Sequence, residues 1–85
     1  MERAELLETL RQQAVLLLDV EREQIREEVS FKSDLKVDSL ALVEYTMAIE
    51  DELGISLPED ELIDVATIGA FLDVIVAKMG ETASA

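Results

Sequence analysis

Leu6, Leu7, Leu10, Ala14, Leu17 and Leu18 recur at intervals of three and four, the period of a helix with one buried face, and predict a helix over residues 2–18. Glu2, Glu5 and Glu8 lie toward its start, where negative charge complements the helix dipole. Residues 19–38 hold no sustained period, and a loop of that length is unusual in a compact domain. This one carries Val20, Ile25, Val29, Phe31, Leu35 and Val37. It reads as an ordered connection, pinned over the helices by those side chains, with a short helical turn inside it. Its length allows the chain to cross from one end of a bundle to the other.

A second helix begins at Asp38 or Ser39, either of which is a good N-cap, and runs to Leu53, with Gly54 as its stop. Pro58 suits the opening of a short third helix over residues 58–64, and Glu59, Asp60 and Glu61 load its first turn with negative charge. Thr67 can cap a fourth helix over residues 68–79, with Phe71, Leu72, Ile75, Val76 and Met79 facing inward and Gly80 ending it. Residues 63–68 are apolar enough for a strand, but Ala66 and Thr67 break the alternation. The expected fold is all-α, a four-helix bundle with a long first connection and a short third helix. Residues 1–80 form its single domain and residues 81–85 a flexible tail.

The second helix carries two apolar stripes. Leu42, Tyr45 or Thr46, Ile49 and Leu53 form an ordinary core face. Leu40, Val43 and Met47 lie on another side, bordered by Glu44, Glu50 and Asp51. A short helix in a small bundle does not easily bury both. An exposed apolar strip with acids at its edge and a flexible methionine within it suits a protein-recognition face. Full wrapping by the later helices is the alternative.

Composition narrows the chemistry. The 85 residues include 20 acids, 7 bases and neither cysteine nor histidine, for a net charge of −13. Disulfides, the usual zinc, haem and iron–sulfur ligand sets, and Cys–His or Ser–His nucleophiles are excluded. Net charge is −3 over residues 1–37 and −10 over residues 38–85, where Lys78 is the only base. Such a surface repels nucleic acid and anionic membranes and attracts partners with basic surfaces. A 49% hydrophobic content still supports a folded core. The longest apolar run, residues 14–18, is far short of a membrane span, and the acidic start does not read as a signal peptide. A cytoplasmic monomer is expected. A calcium loop fails on spacing, because Lys36 stands between Asp34 and Asp38 and Tyr45 falls where a late Glu belongs.

Read alone, Ser39 is a capping residue, and no histidine is present to activate it. The surrounding residues change that weighing. Phe31 and Asp34-Leu35 precede Asp38-Ser39-Leu40; Val43-Glu44, Met47-Ala48 and the acids Glu50, Asp51 and Glu52 follow; then come Leu57-Pro58, Glu59-Asp60 and a later Thr67. In this order and spacing, across residues 6–79, the chain resembles the acyl carrier protein family. The resemblance implies a bundle of that type and a 4′-phosphopantetheine arm, taken from coenzyme A, on Ser39. It implies recognition by Asp38 and Leu40 beside the attachment point and by Val43, Glu44, Met47, Glu50 and Asp51 along the second helix.

The implied partners are a phosphopantetheinyl transferase, acyltransferases or acyl-activating enzymes, and ketosynthases with basic docking surfaces. The chain itself would be a carrier and not an enzyme. Three positions depart from the family pattern: Lys36 where Gly is frequent, Asp19 where Gly often follows the first helix, and Ala41 where an acid often follows Asp-Ser-Leu. They lean the expected pathway toward polyketide or related specialised metabolism over fatty acid synthesis, and Lys36 is placed to tune partner choice. A non-carrier acidic interaction module, with Ser39 only a cap, is the alternative of a different class.

Overall fold

The computed structural model describes residues 2–84, with side chains through Gly80. Helix α1 spans Arg3–Leu17, α2 spans Ser39–Leu53 and α3 spans Ile68–Ser84. Two 3-10 turns, Arg22–Gln24 and Glu59–Leu62, interrupt the connections. The expected all-α carrier-type bundle is present, with its third helix reduced to the second of these turns.

That reduction has a physical cause. The segment Glu59–Leu62 has no fully buried side chain, and Pro58 stands outside it in extended conformation. A single turn with little packing does not offset the cost of nucleating an α-helix. The last helix departs the other way. It passes through Gly80 to Ser84. Gly54 is the only glycine with positive φ, so Gly80 does not form the left-handed cap expected of it. A glycine inside a helix costs about 1 kcal/mol relative to alanine but does not break it. Val76, expected to face inward, is exposed, whereas Phe71, Leu72 and Ile75 are buried and Met79 is half-buried. The expected tail lies in part outside the described residues: Ala85 altogether, and residues 81–84 in their side chains.

Residues 18–38 behave as core. Ile25, Val29, Phe31 and Leu35 are buried, with Val20 and Val37 packed against them. The path is marked by contacts that begin at the middle of α1 and end at its first residue. Arg22 pairs with Glu8, Arg11 Nε donates to the Ile25 carbonyl at 3.0 Å, and Arg3 pairs with Glu27 at 2.7 Å. These guanidinium groups hold the Glu8 and Glu27 carboxyls below the usual glutamate range. The connection thus doubles back along α1 before α2 starts. It then meets the lead-in to α3. Ser30 and Thr67 form an isolated bridge, Phe31 N–H donates to the Ala66 carbonyl at 3.1 Å and Ile68 N–H to the Val29 carbonyl at 3.0 Å. Gly69 permits this approach, because a Cβ there would lie 3.0 Å from the Glu27 carbonyl oxygen.

Phe31, Tyr45 and Phe71, the chain's three aromatic residues, converge in the core. Phe31 meets Phe71 edge-on at 5.7 Å between ring centroids, and Tyr45 lies 6.0 Å from Phe31 and 5.8 Å from Phe71. The Tyr45 hydroxyl donates to the Leu10 carbonyl of α1 at 2.7 Å. Burial pushes the phenol's ionisation upward, so it stays a neutral donor.

Among the described residues, two other than glycine adopt left-handed backbone: Asp19 with φ 55° and Lys36 with φ 58°. Both are positions where the family pattern favours glycine.

Removal of the Phe31 ring is expected to destabilise the protein by about 3 kcal/mol or more. Urea unfolding of Phe31→Ala measures this, and an unmoved midpoint would show that the connection is not packed.

Candidate functional site

Asp38 is the N-cap of α2. Its Oδ1 accepts from the Ala41 amide at 2.8 Å and its carbonyl from the Leu42 amide at 3.0 Å. The capping role open to Asp38 or Ser39 therefore falls to Asp38. Ser39 is the first residue of the helix proper, exposed, with no hydrogen bond to its hydroxyl among the described residues. An uncommitted hydroxyl on the outside of a helix start is open to chemistry supplied from another molecule. An exposed helix start also suits a phosphate, since backbone N–H groups and the helix dipole favour negative charge there.

The two stripes of α2 separate as the spacing predicted. Tyr45, Thr46 and Ile49 are buried, and Leu42 and Leu53 half-buried. Leu40, Val43 and Met47 are exposed by 70%, 53% and 58%. Thr46 satisfies its hydroxyl on the Leu42 carbonyl at 2.8 Å, so its burial leaves no polar atom orphaned. Glu44 and Asp51 are exposed beside the stripe. Glu50 is different. It is half-buried, and its Oε2 accepts from the Leu57 amide at 2.8 Å, tying the chain after Gly54 back onto α2. Its first duty is structural.

Ser39 lies at the edge of an open groove of about 390 Å³ between α2 and the Glu59–Leu62 turn. Leu42, Val43, Met47, Leu57, Leu62 and Ile63 supply its apolar lining, with Thr46, Glu50 and Glu59 among the remainder. Leu62 and Ile63 escaped the sequence reading. The available signal was two adjacent apolar side chains in an otherwise acidic run; in the structure one of them, Ile63, is 76% exposed.

The electrostatic asymmetry persists in three dimensions. Arg3, Arg11, Arg22 and Arg26 each face a carboxylate within residues 1–37, Arg3 also reaching Asp73 at 2.8 Å. Lys78 faces Glu61 at 2.9 Å. Among the described residues, none of these ion pairs involves an acid of α2. Among the described residues, no three carboxylates gather to hold a metal ion, and no helix is long and apolar enough to cross a membrane.

The chain is thus a small helical bundle with an exposed serine at the head of an acidic helix, its hydroxyl unbonded among the described residues. Comparison with known proteins agrees. The family profile described as the phosphopantetheine attachment site matches residues 8–75. The chain is 34% identical over 85 residues to an acyl carrier protein of Saccharopolyspora erythraea, covering 100% of this chain and 90% of the relative. It is 40% identical over 63 residues to that of a Picosynechococcus species, covering 74% and 78%. The solved structure of the acyl carrier protein from Enterococcus faecalis superposes with a TM-score of 0.74 at 29% identity, covering 92% of this chain and 99% of that one. The chain belongs to the acyl carrier protein family: it is a carrier bearing a covalent phosphopantetheine group.

Loss of the Glu50 carboxylate in Glu50→Ala is expected to cost about 1–2 kcal/mol by leaving the Leu57 amide without its acceptor, with Glu50→Gln retaining most of the stability. Equilibrium unfolding of the two variants measures both values.

Proposed function

We propose that Ser39 is the attachment point of the arm and that the exposed face of α2 is where partner enzymes dock. The observation that carries this is the division of labour at the helix start. Asp38 takes the cap, which leaves the Ser39 hydroxyl exposed and uncommitted. Its Oγ is the acceptor oxygen for a phosphopantetheinyl group from coenzyme A. Activation comes from a separate transferase and its magnesium, so the chain needs no general base of its own. The arm's terminal thiol supplies thioester chemistry that a chain without cysteine lacks.

Asp38, Leu40, Val43, Glu44, Met47 and Asp51 form the recognition face, with Glu50 contributing at its edge. Leu40, Val43 and Met47 supply apolar contact, and Glu44 and Asp51 draw in a basic surface. Such surfaces belong to a phosphopantetheinyl transferase, to acyltransferases or acyl-activating enzymes, and to ketosynthases. The groove beside Ser39 offers the cargo an apolar bed. Lys36, Ala41 and Asp19, where the sequence leaves the family pattern, favour polyketide or related specialised metabolism over fatty acid synthesis.

Intact-protein mass tests the attachment point. Incubation with coenzyme A, magnesium and a promiscuous transferase is expected to add one phosphopantetheinyl group to the wild type and none to Ser39→Ala. A folded wild type that gains no mass would favour the non-carrier interaction module. Stopped-flow association tests the recognition face. Glu44→Lys is expected to slow binding to the transferase roughly tenfold at low salt and to flatten its salt dependence. An unchanged rate and salt slope would remove Glu44 from the docking surface.

A further inference from the structure

Lys36 is held in left-handed backbone, φ 58°, a conformation that is strained for a residue with a Cβ. Glycine would avoid that strain, so the lysine side chain is the feature to explain. The turn around it is tightly made. Ser30 accepts from the Asp34 and Leu35 amides, each at 3.1 Å, and Val37 N–H donates to the Phe31 carbonyl at 2.8 Å. Within this turn Lys32 and Lys36 are both exposed and, among the described residues, face no carboxylate, whereas Arg3, Arg11, Arg22, Arg26 and Lys78 all do. The acids nearest Lys36 in sequence are turned to backbone donors. Asp34 Oδ2 takes the Ser30 amide at 2.7 Å, and Asp38 Oδ1 takes the Ala41 amide at 2.8 Å. The first turn of α2 contains no acid at all.

We infer that Lys36 is a positioning residue for the arm: its ammonium pairs with the phosphodiester on Ser39 and holds the first link against the start of α2. This rests on Ser39 as the attachment point. The Cα atoms of Lys36 and Ser39 are separated by three residues, at most about 11 Å, and the four-carbon lysine stem covers much of that span. A phosphodiester has one full negative charge and charge-accepting oxygens, the partner an ammonium favours. Loading therefore supplies the anion that the unmodified chain does not place beside Lys36. Lys32, in the same turn but four residues farther from Ser39, is the internal control.

The chain has three lysines, Lys32, Lys36 and Lys78, so their side-chain signals are assignable by single Lys→Arg variants. NMR titration of the lysine Cε signals, before and after loading with phosphopantetheine, reads the pairing directly. At low salt the Lys36 pKa is expected to rise by roughly half a unit on loading, with a clearly smaller rise at Lys32, and the difference should shrink in high salt. In the loaded protein, Lys36→Gln is expected to shift the 31P resonance of the arm, and Lys32→Gln to leave it in place. Equal movement of the two lysines, or a 31P line indifferent to Lys36→Gln, overturns the pairing while the carrier reading stands. A folded protein that takes no phosphopantetheine on Ser39 overturns both.

Discussion

The Tyr45 ring, packed against both Phe31 and Phe71 with its hydroxyl bonded to the Leu10 carbonyl, is the point through which the rest of the structure is organised. One side chain of α2 touches the long connection and α3 and donates to α1. Aromatic contacts of this kind contribute about 0.5–1.5 kcal/mol each beyond the area they bury. The buried hydroxyl adds a geometric demand, because it loses stability unless its acceptor is in place. Rotation of α2 about its axis would break the ring contacts and the hydrogen bond together.

Fixing that rotation decides which side of α2 meets water. With Tyr45, Thr46 and Ile49 inward, Leu40, Val43 and Met47 must face out, and Glu44 and Asp51 border them. The exposed stripe is a consequence of the core as much as a feature of the surface. The same arrangement makes the long connection necessary. Phe31 reaches the ring cluster only because residues 18–38 double back along α1, held by Arg22 on Glu8, Arg11 on the Ile25 carbonyl and Arg3 on Glu27. Exposed ion pairs contribute little singly. Here they register a segment whose stability comes from Ile25, Val29, Phe31 and Leu35.

These pairs also organise the electrostatic field. The arginines of the N-terminal half are matched by carboxylates, and among the described residues none of these ion pairs involves a carboxylate of α2. Those α2 carboxylates lie on the same helix as the serine and the exposed apolar stripe. Self-repulsion along that helix opposes folding, and a compact aromatic core offsets it. Glu50 shows that acids on this helix are not interchangeable, since one of its oxygens latches the chain at Leu57.

Local patterns determined a good deal by themselves. Helix spacing and caps marked α1, the limits of α2 and the start of α3, since those signals act within a few residues. The charge division and the motif around Ser39 are likewise properties of order along the chain, and they carried the family. Packing across the chain decided the remainder. Whether Asp38 or Ser39 caps α2 depends on side-chain geometry that two adjacent good cappers do not distinguish. Residues 59–62 form a 3-10 turn because so little of them is buried, and Gly80 stays within α3 because it lacks left-handed backbone. Val76 faces water, Gly69 lies close against a carbonyl from Glu27, and Leu62 and Ile63 line a groove with Ser39. Each of these depends on residues distant in sequence, brought close by a core that spacing alone does not describe.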